Sequence, residues 1–137
     1  MADRSFHDLH TQGVNHVQYT FRIKITSGAP VFAEGDTADS ATGSYATLAD
    51  TGTGLITLTT TNAFAGFVGC TVTVHKSTPS LNAVCNTGAP SQDATTGKWS
   101  IEILTGTNAA GTFSAADLAA GDSITVVLVL RNSKVKP

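Results

Sequence analysis

The sequence predicts an all-β chain: an antiparallel two-sheet sandwich of jelly-roll or Greek-key type, preceded by an extended N-terminal arm. Three observations predict it. The longest apolar run, SITVVLVL at residues 123–130, carries the β-branched Ile124, Val126, Val127 and Val129 and has the length of a strand. Residues 14–25 alternate strictly, with Val17, Tyr19, Phe21, Ile23 and Ile25 set against Gln18, Thr20, Arg22 and Lys24. That is the period of a strand with one dry and one wet face. The remaining apolar stretches are short and punctuated by Gly, Pro, Asn and Asp, with no long helical pattern among them.

Taken in order, residues 1–13 are polar and charged, with Phe6 and Leu9 the only sizeable apolar anchors; they read as an arm without a core of its own. The sandwich spans residues 14–131, and residues 132–137 form a C-terminal tail. The first strand, 14–25, ends in the turn residues Ser27, Gly28, Ala29 and Pro30. Residues 31–54 read as a loop holding two short edge strands, at 31–32 and 45–48. Strand character resumes at 55–60, where Ile56 and Leu58 point one way, and again at 67–75. There Val68, Cys70, Val72 and Val74 are expected inward, and Gly66 and Gly69 signal a bulge or tight corner.

Residues 76–96 form a second polar excursion, with turns fixed by Pro79 and Pro90 and a short strand expected at 81–84. Residues 97–105 (GKWSIEILT) place Trp99, Ile101 and Ile103 inward, and a turn follows at 106–111. Ser114 to Asp117 read as an N-cap and one helical turn ahead of Leu118. Gly121 and Asp122 launch the final strand, which is apolar on both faces: Ile124, Val126, Leu128 and Leu130 on one, Val127 and Val129 on the other. Two apolar faces call for cover on both sides, one from the second sheet and one from a partner subunit.

The length, 137 residues, is that of one domain. Charged residues make up 13 %, against an ordinary share of about 25 %, and Thr, Ser, Ala and Gly take their place. Such a surface costs little to desolvate and suits packing against another protein. The net charge of −2 argues against a nucleic-acid partner, whose binders cluster Lys and Arg. No apolar run reaches membrane-spanning length and no signal-peptide core is visible, so a cytoplasmic origin and no membrane partner are expected. Cys70 and Cys85 are expected as two free thiols, with Cys70 a small core residue; a disulfide between them is the alternative.

No catalytic, cofactor or metal site is expected. His7, Asp8 and His10, with Asp3 and His16, have metal-ligand chemistry but sit on the arm in no zinc-binding spacing. Glu34 and Glu102 are the only glutamates, and a sugar-cleaving pair needs exposed aromatics that only Tyr45 readily supplies. Asp36, Asp39 and Asp50 lack the spacing of a calcium loop, and Gly52 and Gly54 lack the third glycine of a dinucleotide turn. No nucleophile stands beside a base, so an enzyme is not expected.

The stretches VQYTFRIKI, GLITLTTTNAFAGFVGCTVTV, GKWSIEILT and AADLAAGDSITVVLVL, following a short polar start, together resemble the small cement or decoration proteins of tailed-bacteriophage capsids. The resemblance implies a jelly-roll protein on the capsid exterior, made in the host cytoplasm. It also implies a homodimer or other symmetric oligomer that clamps neighbouring major capsid proteins against internal DNA pressure, without catalytic residues or cofactors. On that reading the interface residues are Phe6 and Leu9 of the arm, Val14 at the start of the sandwich, Val127 and Val129 of the final strand, and Arg131 and Lys134 near the tail. The arm and tail would reach capsid subunits, and the two valines would lie in or near a self-association surface. The alternative is a receptor- or glycan-binding sandwich of a phage fibre or bacterial surface, with Tyr45, Phe32 and Phe113 as candidate exposed aromatics.

Overall fold

The computed structural model describes residues 16–34 and 38–132. They form ten strands: β1 (His16–Thr26), β2 (Ala29–Phe32), β3 (Ala46–Gly52), β4 (Leu55–Thr60), β5 (Gly66–His75), β6 (Ala83–Thr87), β7 (Ser91–Gln92), β8 (Trp99–Ala109), β9 (Thr112–Ala115) and β10 (Ser123–Arg131). Two antiparallel sheets pack face to face. One has the order β2-β1-β10-β5; the other runs β3-β4-β8-β6, with β7 and β9 pairing onto β8. The neighbours β1–β10, β10–β5 and β4–β8 are distant in sequence, so the chain crosses between sheets to bring them together.

The final strand is central, as its two apolar faces require. Ile124, Val126, Leu128 and Leu130 are buried in the core, and Thr125, Val127 and Val129 lie half-buried on the other side. Ile23 of β1, Leu48 of β3, Ile56 and Leu58 of β4, and Ile101 and Ile103 of β8 meet that core face. Alternation decides which side chains these are: β4 reads half-buried and buried in strict turn, ending on a buried Thr60 whose hydroxyl donates to Asn62 O.

Several expectations needed correction. The two edge strands expected within 31–54 are longer than expected: β2 runs over Ala29–Phe32, and β3, expected at 45–48, continues to Gly52 along β4 with Asp50 and Thr51 facing solvent. The short strand expected at 81–84 is β6, two residues later, and Leu81 is fully exposed. The turn expected at 106–111 is mostly strand: β8 runs to Ala109, and Ala110 and Gly111 alone turn the chain into β9. Both have positive φ, 51° and 79°, the signature of a two-residue hairpin turn.

The helical turn expected at Ser114 is absent. Ser114 and Ala115 belong to β9, and Asp117 caps nothing local: its Oδ1 accepts a hydrogen bond from Gly54 N at 2.6 Å, 63 residues away. Val68, expected inward, points out. The β5–β10 register slips between Val129 and Leu130, so Phe67 takes the inward place opposite Leu130 and Val68 is bulged into solvent. The bulge falls between the two glycines that signalled it.

Candidate functional site

Two surfaces of the first sheet stand out, and β1 contributes to both. The outer face consists of registered rows. Gln18, Val129 and Gly69 form one, Thr20, Val127 and Thr71 the next, and Arg22, Thr125 and Thr73 a third. The face is rich in threonine and without a carboxylate in these rows. Val127 and Val129 sit at its centre because β10 is an inner strand whose neighbours shade them from both sides. At one end His75 Nε2 meets Thr125 Oγ1 at 3.0 Å.

The second surface is a groove of about 590 Å³ along the edge of β1. It is lined by Gln18, Tyr19, Thr20, Phe21 and Arg22 on one side and by Phe32, Gly43, Ser44 and Tyr45 on the other, with Glu34 at the rim. Five consecutive residues of one strand line it, and only a strand presented edge-on exposes both alternating sets. Its floor is aromatic. Tyr19 stacks on Tyr45 with ring centroids 5.0 Å apart and meets Phe64 edge-on at 6.0 Å; Phe21 lies 5.6 Å from Phe32. Burial, and then the neighbouring Tyr45, raise the Tyr19 pKa. Tyr45 itself is 54 % exposed. The Arg22 guanidinium donates to Glu34 at 2.9 Å and closes one end.

A buried carboxylate secures the end of the sheet at which β10 begins. Asp122 is 1 % exposed. Burial alone would raise its pKa. Against that, Lys76 Nζ, Ser77 N at 2.9 Å, Ala119 N at 3.0 Å and Ser77 Oγ at 3.1 Å all donate to it, and the net effect lowers it to about 2. This ties the exit of β5 to the entry of β10. Where the two sheets meet at β5 and β6, Cys70 and Cys85 are free and half-buried. Burial raises both thiols, and the added influence of Cys70 brings Cys85 to about 11.

Of the residues singled out in the sequence, Val127 and Val129 share the outer face, and Arg131 is the last residue of β10, opposite His16 and Gly66. The Arg131 Nε is buried without an acceptor among the described residues. Phe6, Leu9, Val14 and Lys134 lie outside the described residues, as do His7, Asp8, His10 and Asp36. Asp39 pairs with Lys24, and Asp50 accepts from Gly52 N. Glu34, just past β2, and Glu102, on β8, do not form an acid–base pair: Glu34 is engaged by Arg22, and Glu102 is exposed. Among the described residues, no three His, Cys, Asp or Glu side chains converge to hold a metal. The β1-edge groove was missed by sequence reasoning. Its one signal was the shortness of the strand after the 27–30 turn, which leaves half of β1 without a neighbour on that side. Compared with protein-family models, curated proteins and solved structures, the chain matches none.

Proposed function

We propose that the chain is a structural virion protein, a cement or decoration protein that binds the outside of a phage capsid and clamps neighbouring major capsid proteins against internal DNA pressure. The observation that carries the reading is the outer face of the first sheet: free of carboxylates in its central rows, and apolar at Val127 and Val129. A face of threonine and valine desolvates at low cost, and a rigid sandwich presents it without reorganisation. Copies of the chain meet there, while Phe6, Leu9 and Val14 before β1, Arg131 at the end of β10 and Lys134 beyond it reach the shell.

The test is banding of virions produced with the chain present. The protein is expected at a fixed copy ratio to the major shell subunit. Val127→Glu is expected to cut that occupancy at least tenfold while leaving the unfolding midpoint of the free protein within a few degrees. A folded protein that stays a lone monomer and does not band with virions overturns the proposal. A receptor- or glycan-binding module is the second reading, favoured by the half-exposed Tyr45 above a groove with a polar rim. Glycan-array signal lost on Tyr45→Ala would select it.

A further inference from the structure

The groove beside β1 lies along an open sheet edge. Strand β2 is four residues long and pairs only with Ile23 to Thr26, and Ala33 N adds one bond to Arg22 O at 2.8 Å. That bond fixes the parity of β1. In an antiparallel strand both backbone groups of a residue point to the same side, so the even-numbered residues face away from β10. Pro30 agrees, since it lacks an N–H and sits opposite the odd-numbered Ile25. It follows that the N–H and C=O of Gln18 and Thr20 are directed into the groove, and no described residue takes them up.

The other edges of this sheet are blunted. β2 is short and contains Pro30, and β5 packs against β6. Only the first half of β1 joins unpaired backbone groups to a wide apolar floor. A sugar would use Tyr45 and leave this ladder largely unmet, whereas an extended peptide satisfies both features together.

We infer that this groove accepts, as an added strand, part of the segment preceding β1 from a second copy of the chain. Fifteen residues of the sequence precede His16, and none is proline, so every one after the first can donate to a ladder. Extended, they span up to about 50 Å, more than the width of a domain of this size. Five of them, Phe6 to His10, are enough to face Gln18 to Arg22 antiparallel, and that register sets Leu9 opposite Tyr19, on the face of the Tyr19–Tyr45 stack. The same segment of its own chain would have to fold back through the three residues Gly13, Val14 and Asn15, and the mixed-isotope experiment below separates that hairpin from exchange between copies. Two copies exchanging segments reciprocally fill both grooves and close a symmetric pair. Leu9, assigned above to the shell, is then taken up between copies, and residues 1–5 extend past Arg22 and remain for a shell subunit. The inference rests on the proposed function only in that copies of the chain meet.

The full chain with Leu9→p-benzoylphenylalanine, mixed as equal parts light and ¹⁵N-labelled protein and illuminated, tests it. Cross-links between a light chain and a heavy one, landing on residues 17–22 or 43–45, are the expected result. Gln18→Pro, which removes an edge N–H that the fold does not use, is expected to lower their yield at least tenfold without shifting the unfolding midpoint. Cross-links to the groove within one isotope only, or cross-links elsewhere, overturn the inference. Exchange of segments by a chain that ignores virions leaves it standing and removes the capsid reading; binding to virions without mixed-isotope cross-links does the reverse.

Discussion

Replacing Asp122 by Asn tests how the first sheet is held at its closed end. The carboxylate lies between Lys76 and Ser77, just past β5, and Ala119, just before β10. Oδ1 accepts from Ser77 N and Oγ; Oδ2 accepts from Ala119 N and Lys76 Nζ. An asparagine keeps one acceptor oxygen. Its amide NH₂ must then face either two serine donors or an ammonium and a backbone N–H. A folded pKa of about 2, against about 3.9 in the unfolded chain, corresponds to about 2.5 kcal/mol at neutral pH. Because one partner of a buried pair is left unmatched, the expected loss in Asp122→Asn is about 3 kcal/mol.

The pH dependence separates this from a packing defect. A carboxyl whose folded pKa is depressed contributes fully above its unfolded pKa and loses that contribution as pH falls toward the folded value. The gap between wild type and variant, measured by urea unfolding, should therefore hold from pH 7 down to about 5, fall to about half by pH 3 and nearly close by pH 2. A variant within about 0.5 kcal/mol of wild type at pH 7, or a gap that stays constant into acid, refutes the assignment of this carboxylate as the tie between β5 and β10.

Two further substitutions probe the turns. Gly54 has φ +67°, and a Cβ there would stand 2.3 Å from Thr105 O and 2.9 Å from Ala116 N, so Gly54→Ala is expected to cost more than about 3 kcal/mol in urea unfolding or to abolish soluble folding. Ala110 occupies a left-handed position, φ 51°, in the β8–β9 hairpin, and Ala110→Asn is expected to raise stability by about 0.5–1 kcal/mol, seen as a higher thermal midpoint; an unchanged or lower midpoint argues against strain at that turn.

What was legible in the sequence was whatever alternation records. The core faces of β4, β8 and β10 follow from Ile56 and Leu58, from Ile101 and Ile103, and from the even-numbered residues of 124–130, because burial on one face leaves a period of two. Glycine punctuation was also informative, since Gly66 and Gly69 bracket the bulge. It did not reveal that the slip turns Val68 outward, because a bulge changes parity and its exact place depends on the partner strand. Edge strands were harder. Ala46 and Leu48 are buried and mark the first half of β3, but Ala49 to Gly52 are exposed, so nothing apolar marks the second half; its pairing with β4 creates it. Asp117 misled for a related reason. A Ser-x-x-Asp pattern reads as a helix cap, yet the carboxylate is taken by Gly54 N from the far side of the fold.

The two candidate surfaces differ in the same way. Val127 and Val129 were visible because a residue's face is written in its own strand. The groove beside Gln18 and Thr20 was not, because an open edge is defined by a neighbour that stops short. β1 runs for 11 residues and β2 for 4, so the length mismatch alone exposes the backbone of the first half of β1. An edge of this kind invites strand addition unless something covers it, and charge, proline and bulges are the usual protections. β1 carries none of these between Val17 and Phe21; its one charged side chain nearby, Arg22, is turned to Glu34 at the groove's end. An unprotected edge above an aromatic floor is a liability in a free monomer and an asset in an assembly. Among the described residues nothing covers that edge, and this is the ground on which self-association is proposed.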